Sequence, residues 1–206
     1  MDKINIIYCG HACFKIEYGG QSIVLDPYGD GSVPGLPPLR LEANYVICSH
    51  GHGDHHFTEG VKIVKTDEPS AFDISVLKTE HDDKGGALRG MNDIHIIRCG
   101  DMTVVHFGDL GRDLSDDELA KVSGADCFLI PVGGYFTIDA PMAKSIIDRA
   151  KPKVTIPMHY RTKTNGLEQI ANLEEFTKLC DNVEYGGNSF ELTKDTEKKT
   201  VVLKYM

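Results

Sequence analysis

The chain has no stretch approaching the roughly 18 consecutive apolar residues of a membrane-spanning helix. Its opening segment, MDKINIIYCGHACFKIEYGG, alternates apolar with polar residues and holds no continuous apolar run. No export signal is therefore expected, and the cytoplasm is the expected compartment. Basic residues are scarce, with 22 Lys and Arg against 31 Asp and Glu and a formal net charge of -9. That balance argues against nucleic acid as the main partner, since phosphate backbones recruit clustered cations. The six cysteines are scattered: Cys9 and Cys13 bracket His11, but their spacing is wrong for a zinc knuckle and no second cysteine pair exists. They read as reduced, mostly buried thiols. Linkers and low-complexity tracts are also missing, so residues 1–206 are expected to form one domain.

The first half is rich in β-favouring runs: INIIYC, ACFKIEY, QSIVLDP, NYVICSH, VKIVK and ISVLKTEH. Gly19-Gly20 joins two of them as a hairpin turn. A similar layout returns in IHIIRCGDMTVVHFGD, residues 94–109, which parallels FKIEYGGQSIVLDP, residues 14–27. Each hairpin ends in an Asp (Asp26, Asp109), and each is followed by an apolar strand and a Gly-rich loop, VICSHGHGD or FLIPVGG. This suggests an internal two-fold architecture. Helices are expected at 115–122, behind a Ser115/Glu118 capping box, at 139–150, and from about Leu167 to Cys180. The tail, NSFELTKDTEKKTVVLKYM, reads as a hairpin. Strand-rich halves separated by helices point to two stacked sheets covered by helices, an α/β (α+β) fold.

Residues 49–56 read SHGHGDHH. In extended backbone, side chains at i and i+2 face the same side, so His50 and His52 can meet at one point. Asp54 and His55 follow where the chain turns and can aim at a second point nearby, with Gly51 and Gly53 permitting the bend. Imidazole and carboxylate together suit zinc, iron or manganese. A His-rich solvated loop would look the same, so the discriminating feature is whether partners arrive elsewhere. His81 ends ISVLKTE, Asp109 ends TVVHFG, and His159 ends VTIPM, each where an apolar strand emerges. Together with HxHxDH they describe a metal site.

This ordered set, with GHACFKIE, VLDP, HFGDLG, PVGGYFTID and IPMHY around it, strongly resembles the metallo-β-lactamase-fold hydrolases. The likeness spans nearly the whole chain and is greatest to the small Zn-dependent hydrolase branch that includes ascorbate-6-phosphate lactonase-like proteins. The resemblance implies a four-layer αββα sandwich with two metals at one edge. It implies that His50, His52 and His81 bind the first ion, that Asp54, His55 and His159 bind the second, and that Asp109 bridges. Two divalent ions about 3.5–4 Å apart can lower the pKa of a water towards 7 and stabilise a developing oxyanion. Zinc is the first expectation, with manganese or iron as alternatives. In this scheme Asp54 and Asp109 carry the catalytic role.

Several residues have two roles open to them. His11 is either near the site or a satisfied structural histidine. Asp26 either orients a ligand histidine or caps the Gly/Pro-rich loop after it. His106, inside an apolar strand, is expected to pack in the core or behind a ligand, and His56 to be a bystander. Tyr160, Arg161 and Lys163 either hold a substrate anion or lie in a solvated loop. The backbone amides of Gly133-Gly134-Tyr135 are candidates to approach a ligand.

The expected activity is metal-dependent hydrolysis of a small anionic ester, lactone or phosphoester, with no membrane or nucleic-acid partner and with a homo-oligomer permitted. Three alternatives compete: RNA or phosphodiester cleavage, di-iron redox chemistry, and metal binding without catalysis. The acidic composition disfavours the first. The second is disfavoured because His52 stands where redox members typically carry Glu, and a fused flavin domain is not expected.

Overall fold

The computed structural model describes residues 2–206. In chain order its strands are β1 (Ile4–Gly10), β2 (Cys13–Tyr18), β3 (Gln21–Leu25), β4 (Leu41–Ala43), β5 (Tyr45–Ile47), β6 (Val61–Ile63) and β7 (Asp73–Glu80). The second half adds β8 (Met91–Cys99), β9 (Met102–His106), β10 (Cys127–Pro131), β11 (Val154–Met158), β12 (Val183–Tyr185), β13 (Ser189–Leu192) and β14 (Lys199–Val202). Three helices interrupt them: α1 (Asp116–Val122), α2 (Ala140–Ala150) and the single turn α3 (Glu174–Thr177). No helix among the described residues is long and apolar enough to cross a membrane.

Two mixed sheets stack face to face, in the strand orders β13-β1-β2-β3-β5 and β12-β14-β11-β10-β9-β8-β7. The period-two pattern of β1 turns Ile4, Ile6 and Tyr8 inward. Between the sheets they meet Phe14, Ile16 and Ile23 of the first and Val104, Leu129, Ile156 and Val201 of the second. The central parallel strands β10 and β11 are buried along their whole length, as expected where both faces are covered. Phe107, Phe128 and Ile130 pack outward against α1, α2 and Phe176 of α3. The other outer layer, over β2 and β3, is built from Tyr28, Val33 and Leu39 of the Gly/Pro-rich loop and the small β4–β6 pair.

The internal repetition appears as topology. The hairpin β2–β3 is followed by β5 parallel to β3, and the hairpin β8–β9 by β10 parallel to β9. Strands β1, β3, β5, β7, β9, β10 and β11 thereby deliver their C-terminal ends to one edge of the sandwich.

Two sequence expectations give way. The helix expected over Leu167–Cys180 is reduced to α3, because the preceding residues bond elsewhere: Ala171 N–H donates to Gly133 O at 2.7 Å and Arg161 N–H to Ala171 O at 2.9 Å. The tail is not a hairpin. β13 pairs with β1, whereas β14 inserts between β11 and β12, so the chain crosses between sheets and buries Leu192 and Val201 in the shared core.

The first two helices, α1 and α2, follow their caps. The Ser115/Glu118 box is formed in both directions, and Asp139 accepts from Met142 N–H at 2.9 Å while α2 ends at Lys151 in the left-handed region. Ser115→Ala should lower stability by about 1 kcal/mol in urea unfolding, with the slope unchanged; an unaltered midpoint would contradict the cap assignment.

Candidate metal centre

All seven candidate ligands lie at the common edge of the sheets. The loop after β5 carries His50, His52, Asp54 and His55; His81 follows β7, Asp109 follows β9 and His159 follows β11. They gather in two groups. His50, His52 and His81 bring one ring nitrogen each within 4.8 Å of one another, and Asp54, His55 and His159 do the same with His11 as a fourth member. Asp109 stands between the groups: its Oδ2 lies 3.3 Å from Nε2 of His55, of His81 and of His159.

That convergence has a chemical meaning. Nε2 of His55 and of His159 is buried without a hydrogen-bond partner despite lying beside Asp109, and Nε2 of His50 and Oδ1 of Asp109 are equally unpartnered. Buried polar atoms normally find partners, and leaving one without costs on the order of 1–3 kcal/mol. A cation placed among these lone pairs satisfies them together, so the donor set fits a divalent ion.

The surrounding residues fix the direction of the rings. Asp26 lies 2.8 Å from His55 Nδ1 and accepts from Ser49 N–H at 2.6 Å and Ser49 Oγ at 2.5 Å. Ser49 Oγ is also 2.9 Å from His50 Nδ1. Of the two roles open to Asp26, orienting a histidine is the one its carboxylate performs, and the ring it holds presents Nε2 to the cluster. Asn92, fully buried, donates to Phe107 O at 2.9 Å and accepts from Asp109 N–H at 2.8 Å, pinning the turn that carries Asp109. Gly111 lets that turn run against β7: a Cβ there would sit 2.2 Å from Asp82 N.

Three non-glycine site residues adopt positive φ: His11 (56°), Asp26 (45°) and His159 (54°). Each directly follows a strand and uses the left-handed conformation to turn its side chain into the edge. Such conformations cost roughly 1–3 kcal/mol each and persist where surrounding contacts impose them. His159 N–H donates to His11 O at 2.9 Å, tying two of these turns together.

His11 is thus brought to the cluster, its Nε2 3.3 Å from Asp54 Oδ2 and its ring 4.0 Å from that of His159. His106 is not: its Nε2 is 2.9 Å from Ala12 O, bridging the two sheets behind the site. His56 is exposed. Tyr160 and Arg161 do not line the cavity over the cluster. Tyr160 is buried with its ring 6.5 Å from Tyr8, and Arg161 lines a separate cleft with Lys163 and Glu174. Tyr160 lines a neighbouring cavity of about 440 Å³ together with His11. The cavity above the cluster, about 210 Å³, is lined by His52, Asp54, His81, Asp109, Arg89, Phe136 and Leu167. Sequence reasoning missed Ser49, Asn92 and Arg89. Ser49 had a signal in its adjacency to His50, whereas Asn92 and Arg89 carry none in their spacing.

Burial, assisted by His159, brings the His11 imidazole down to about 4, with Asp54 pulling the other way. Burial and His55 bring His50 down to about 3, and burial with His106 brings His95 to about 4. Against its own burial, His55 is held above its ordinary value by Asp109 and Asp26. Burial would raise Asp109, but His159 and His55 hold it well below the carboxylate range.

The depressed imidazoles bind protons less readily folded than unfolded, so the stability tied to their neutrality is lost as pH falls from about 6.5 towards 4. His55, whose value is raised, contributes pH dependence mainly above about 6.5, which leaves this window to the lowered imidazoles, His81 and His106 among them. After chelation of divalent ions, the melting temperature should therefore fall across that window; a flat or rising profile would contradict this balance.

Comparison with known proteins gives the same frame. Residues 5–159 match the family described as the beta-lactamase superfamily domain. A metal-dependent hydrolase of Carboxydothermus hydrogenoformans is 28% identical over 194 residues, covering 77% of this chain and 85% of that protein. A crystal structure from Thermotoga maritima, described as a Zn-dependent hydrolase of the metallo-beta-lactamase superfamily, superposes with a TM-score of 0.78 at 32% identity, covering 98% of this chain and all of the other. A metallo hydrolase of Ignicoccus hospitalis shares the fold at a TM-score of 0.67 and 20% identity, over 93% of this chain and 99% of its own. With its sandwich and its edge cluster in place, the chain belongs to the beta-lactamase superfamily and has the metallo-β-lactamase fold.

Proposed function

We propose that this chain is a hydrolase that uses two divalent metal ions, zinc in the first instance, to cleave a small anionic ester, lactone or phosphoester. The observation that carries the reading is Asp109 Oδ2, equidistant at 3.3 Å from imidazoles of both histidine groups. In this reading His50, His52 and His81 would hold one ion, Asp54, His55 and His159 the other, and Asp109 would contribute to both. Manganese or iron would satisfy the same nitrogen and oxygen donors. Bound there, two divalent cations would acidify a water towards neutral pH and offset charge developing on the oxygen of the group under attack.

The chain's own residues supply orientation and exclusion. Asp26 keeps the His55 proton on Nδ1, so that Nε2 offers a lone pair. Asp54, with 22% of its side chain exposed, is the ligand carboxylate that opens towards the cavity. It can accept a proton there while His11 holds its Oδ2. Phe136 and Leu167 wall the cavity with apolar surface and limit solvent at the reacting centre. The carboxylates of Asp54 and Asp109 would offset only half the charge of two dications, so with both bound the floor of the cavity would be positive although the chain is acidic overall. That local sign favours an anionic substrate, and a cavity of about 210 Å³ favours a small one.

Asp54→Ala and His55→Ala should each remove turnover of an ester, lactone and phosphodiester panel by at least about a thousandfold, with the circular dichroism spectrum retained. Asp26→Ala should weaken metal affinity by about 10–100-fold, read by competition with a chromogenic chelator. Undiminished turnover by chelator-stripped protein would defeat the proposal.

A further inference from the structure

Four of the six arginines are committed to carboxylates: Arg40 to Asp30, Arg98 to Asp73, Arg112 to Glu80 and Glu118, and Arg149 to Asp113. Arg89 is not. Among the described residues no carboxylate pairs with its guanidinium, in a chain with 31 acidic side chains to choose from. Its guanidinium lies over the face of Phe136, 5.5 Å from the ring centroid. Half-buried, it lines the 210 Å³ cavity above the histidine cluster together with His52, His81 and Asp109.

Both partners of this stack are held firmly. The Asp82 carboxylate, immediately after His81, accepts four backbone N–H bonds, from Lys84 at 2.8 Å, Gly86 at 2.9 Å, Leu88 at 2.9 Å and Arg89 at 2.8 Å. A single buried side chain therefore curls the whole 82–89 loop and anchors its last residue to the position after His81. On the other side, Gly134 and Tyr135 both take positive φ, 65° and 60°, and turn Phe136 inward beneath the guanidinium. Strain of this kind at Tyr135, an exposed non-glycine residue, marks a position imposed by its surroundings.

Arg89 and Phe136 also line a second cavity of about 300 Å³, bounded by Asp82, Asp83, Asp139, Gly111, Tyr135 and Met142, in which Arg89 is the one cationic side chain. They stand as the shared wall between it and the cavity above the cluster. A molecule reacting over the histidines and extending outward passes the guanidinium.

We propose that Arg89, braced on Phe136, recognises an oxyanion, a carboxylate or phosphate group, on the part of the substrate remote from the bond that is broken. This rests on the hydrolase reading for which bond reacts, and it selects among substrates by a second negative group. The planar fork offers paired N–H donors to such a group, and stacking leaves that edge free.

The test measures binding to the zinc-loaded full chain by calorimetry, without turnover. Methylphosphonate offers one anionic group; 3-phosphonopropionate adds a carboxylate on a short tether. The wild type should bind 3-phosphonopropionate about tenfold or more tightly than methylphosphonate. Arg89→Gln should erase that preference and Arg89→Lys should keep part of it, with both variants melting as the wild type does. A preference that survives in Arg89→Gln, or one absent from the wild type, including failure of both probes to bind, overturns the inference. Retained Arg89-dependent preference with no turnover of any ester would defeat the hydrolase reading alone. Turnover with no such preference would defeat this inference alone.

Discussion

One carboxylate oxygen organises the edge of this protein. Asp109 Oδ2 sits at the same 3.3 Å from three imidazole nitrogens that come from three different strand ends. Those nitrogens lack the geometry of hydrogen bonds to it, and two of them have no other partner. Without a cation, the arrangement is a set of buried lone pairs crowded together, which a fold tolerates only when something else compensates. The position of that oxygen depends in turn on Asn92 across the β8–β9 hairpin and on the close approach of Gly111 to the His81–Asp82 backbone.

The sandwich serves this convergence. Strands of both sheets running in one direction bring their ends to one edge, and three left-handed turns at His11, Asp26 and His159 aim side chains inward. The inter-sheet core supplies the stability against which that local strain is held. His106, reaching from β9 to Ala12 O, locks the two sheets together directly behind the cluster. A similar economy governs the 82–89 loop, where Asp82 satisfies four amides at once; burial would raise its carboxyl, yet those bonds bring it down to about 2.

What could be read from sequence was what short spacing encodes. HxHxDH declared itself because four donors lie within six positions, and His81, Asp109 and His159 did so by ending apolar runs. Asn92 was illegible because its importance depends on facing Asp109 across a hairpin, while in sequence it is one polar position in an alternating strand. Arg89 was illegible because its loop is shaped by Asp82 seven residues earlier and its stacking partner lies on a distant turn. Adjacency to His159 does not place Tyr160 or Arg161 in the cavity over the cluster; Tyr160 lines a neighbouring cavity with His11 instead. The tail hairpin and the long helix failed for a related reason, since non-local pairing to β1, β11 and the 133 loop outcompeted local bonding.

The central claim is that two groups of donors act as one dinuclear site through a shared Asp109. Zinc stoichiometry of the purified full chain, measured by elemental analysis after equilibration with excess zinc and removal of free ion, tests it most directly. Two ions per wild-type chain are expected, with occupancy falling below that in Asp109→Ala. One ion or none in the wild type, or two ions retained without Asp109, would contradict the account.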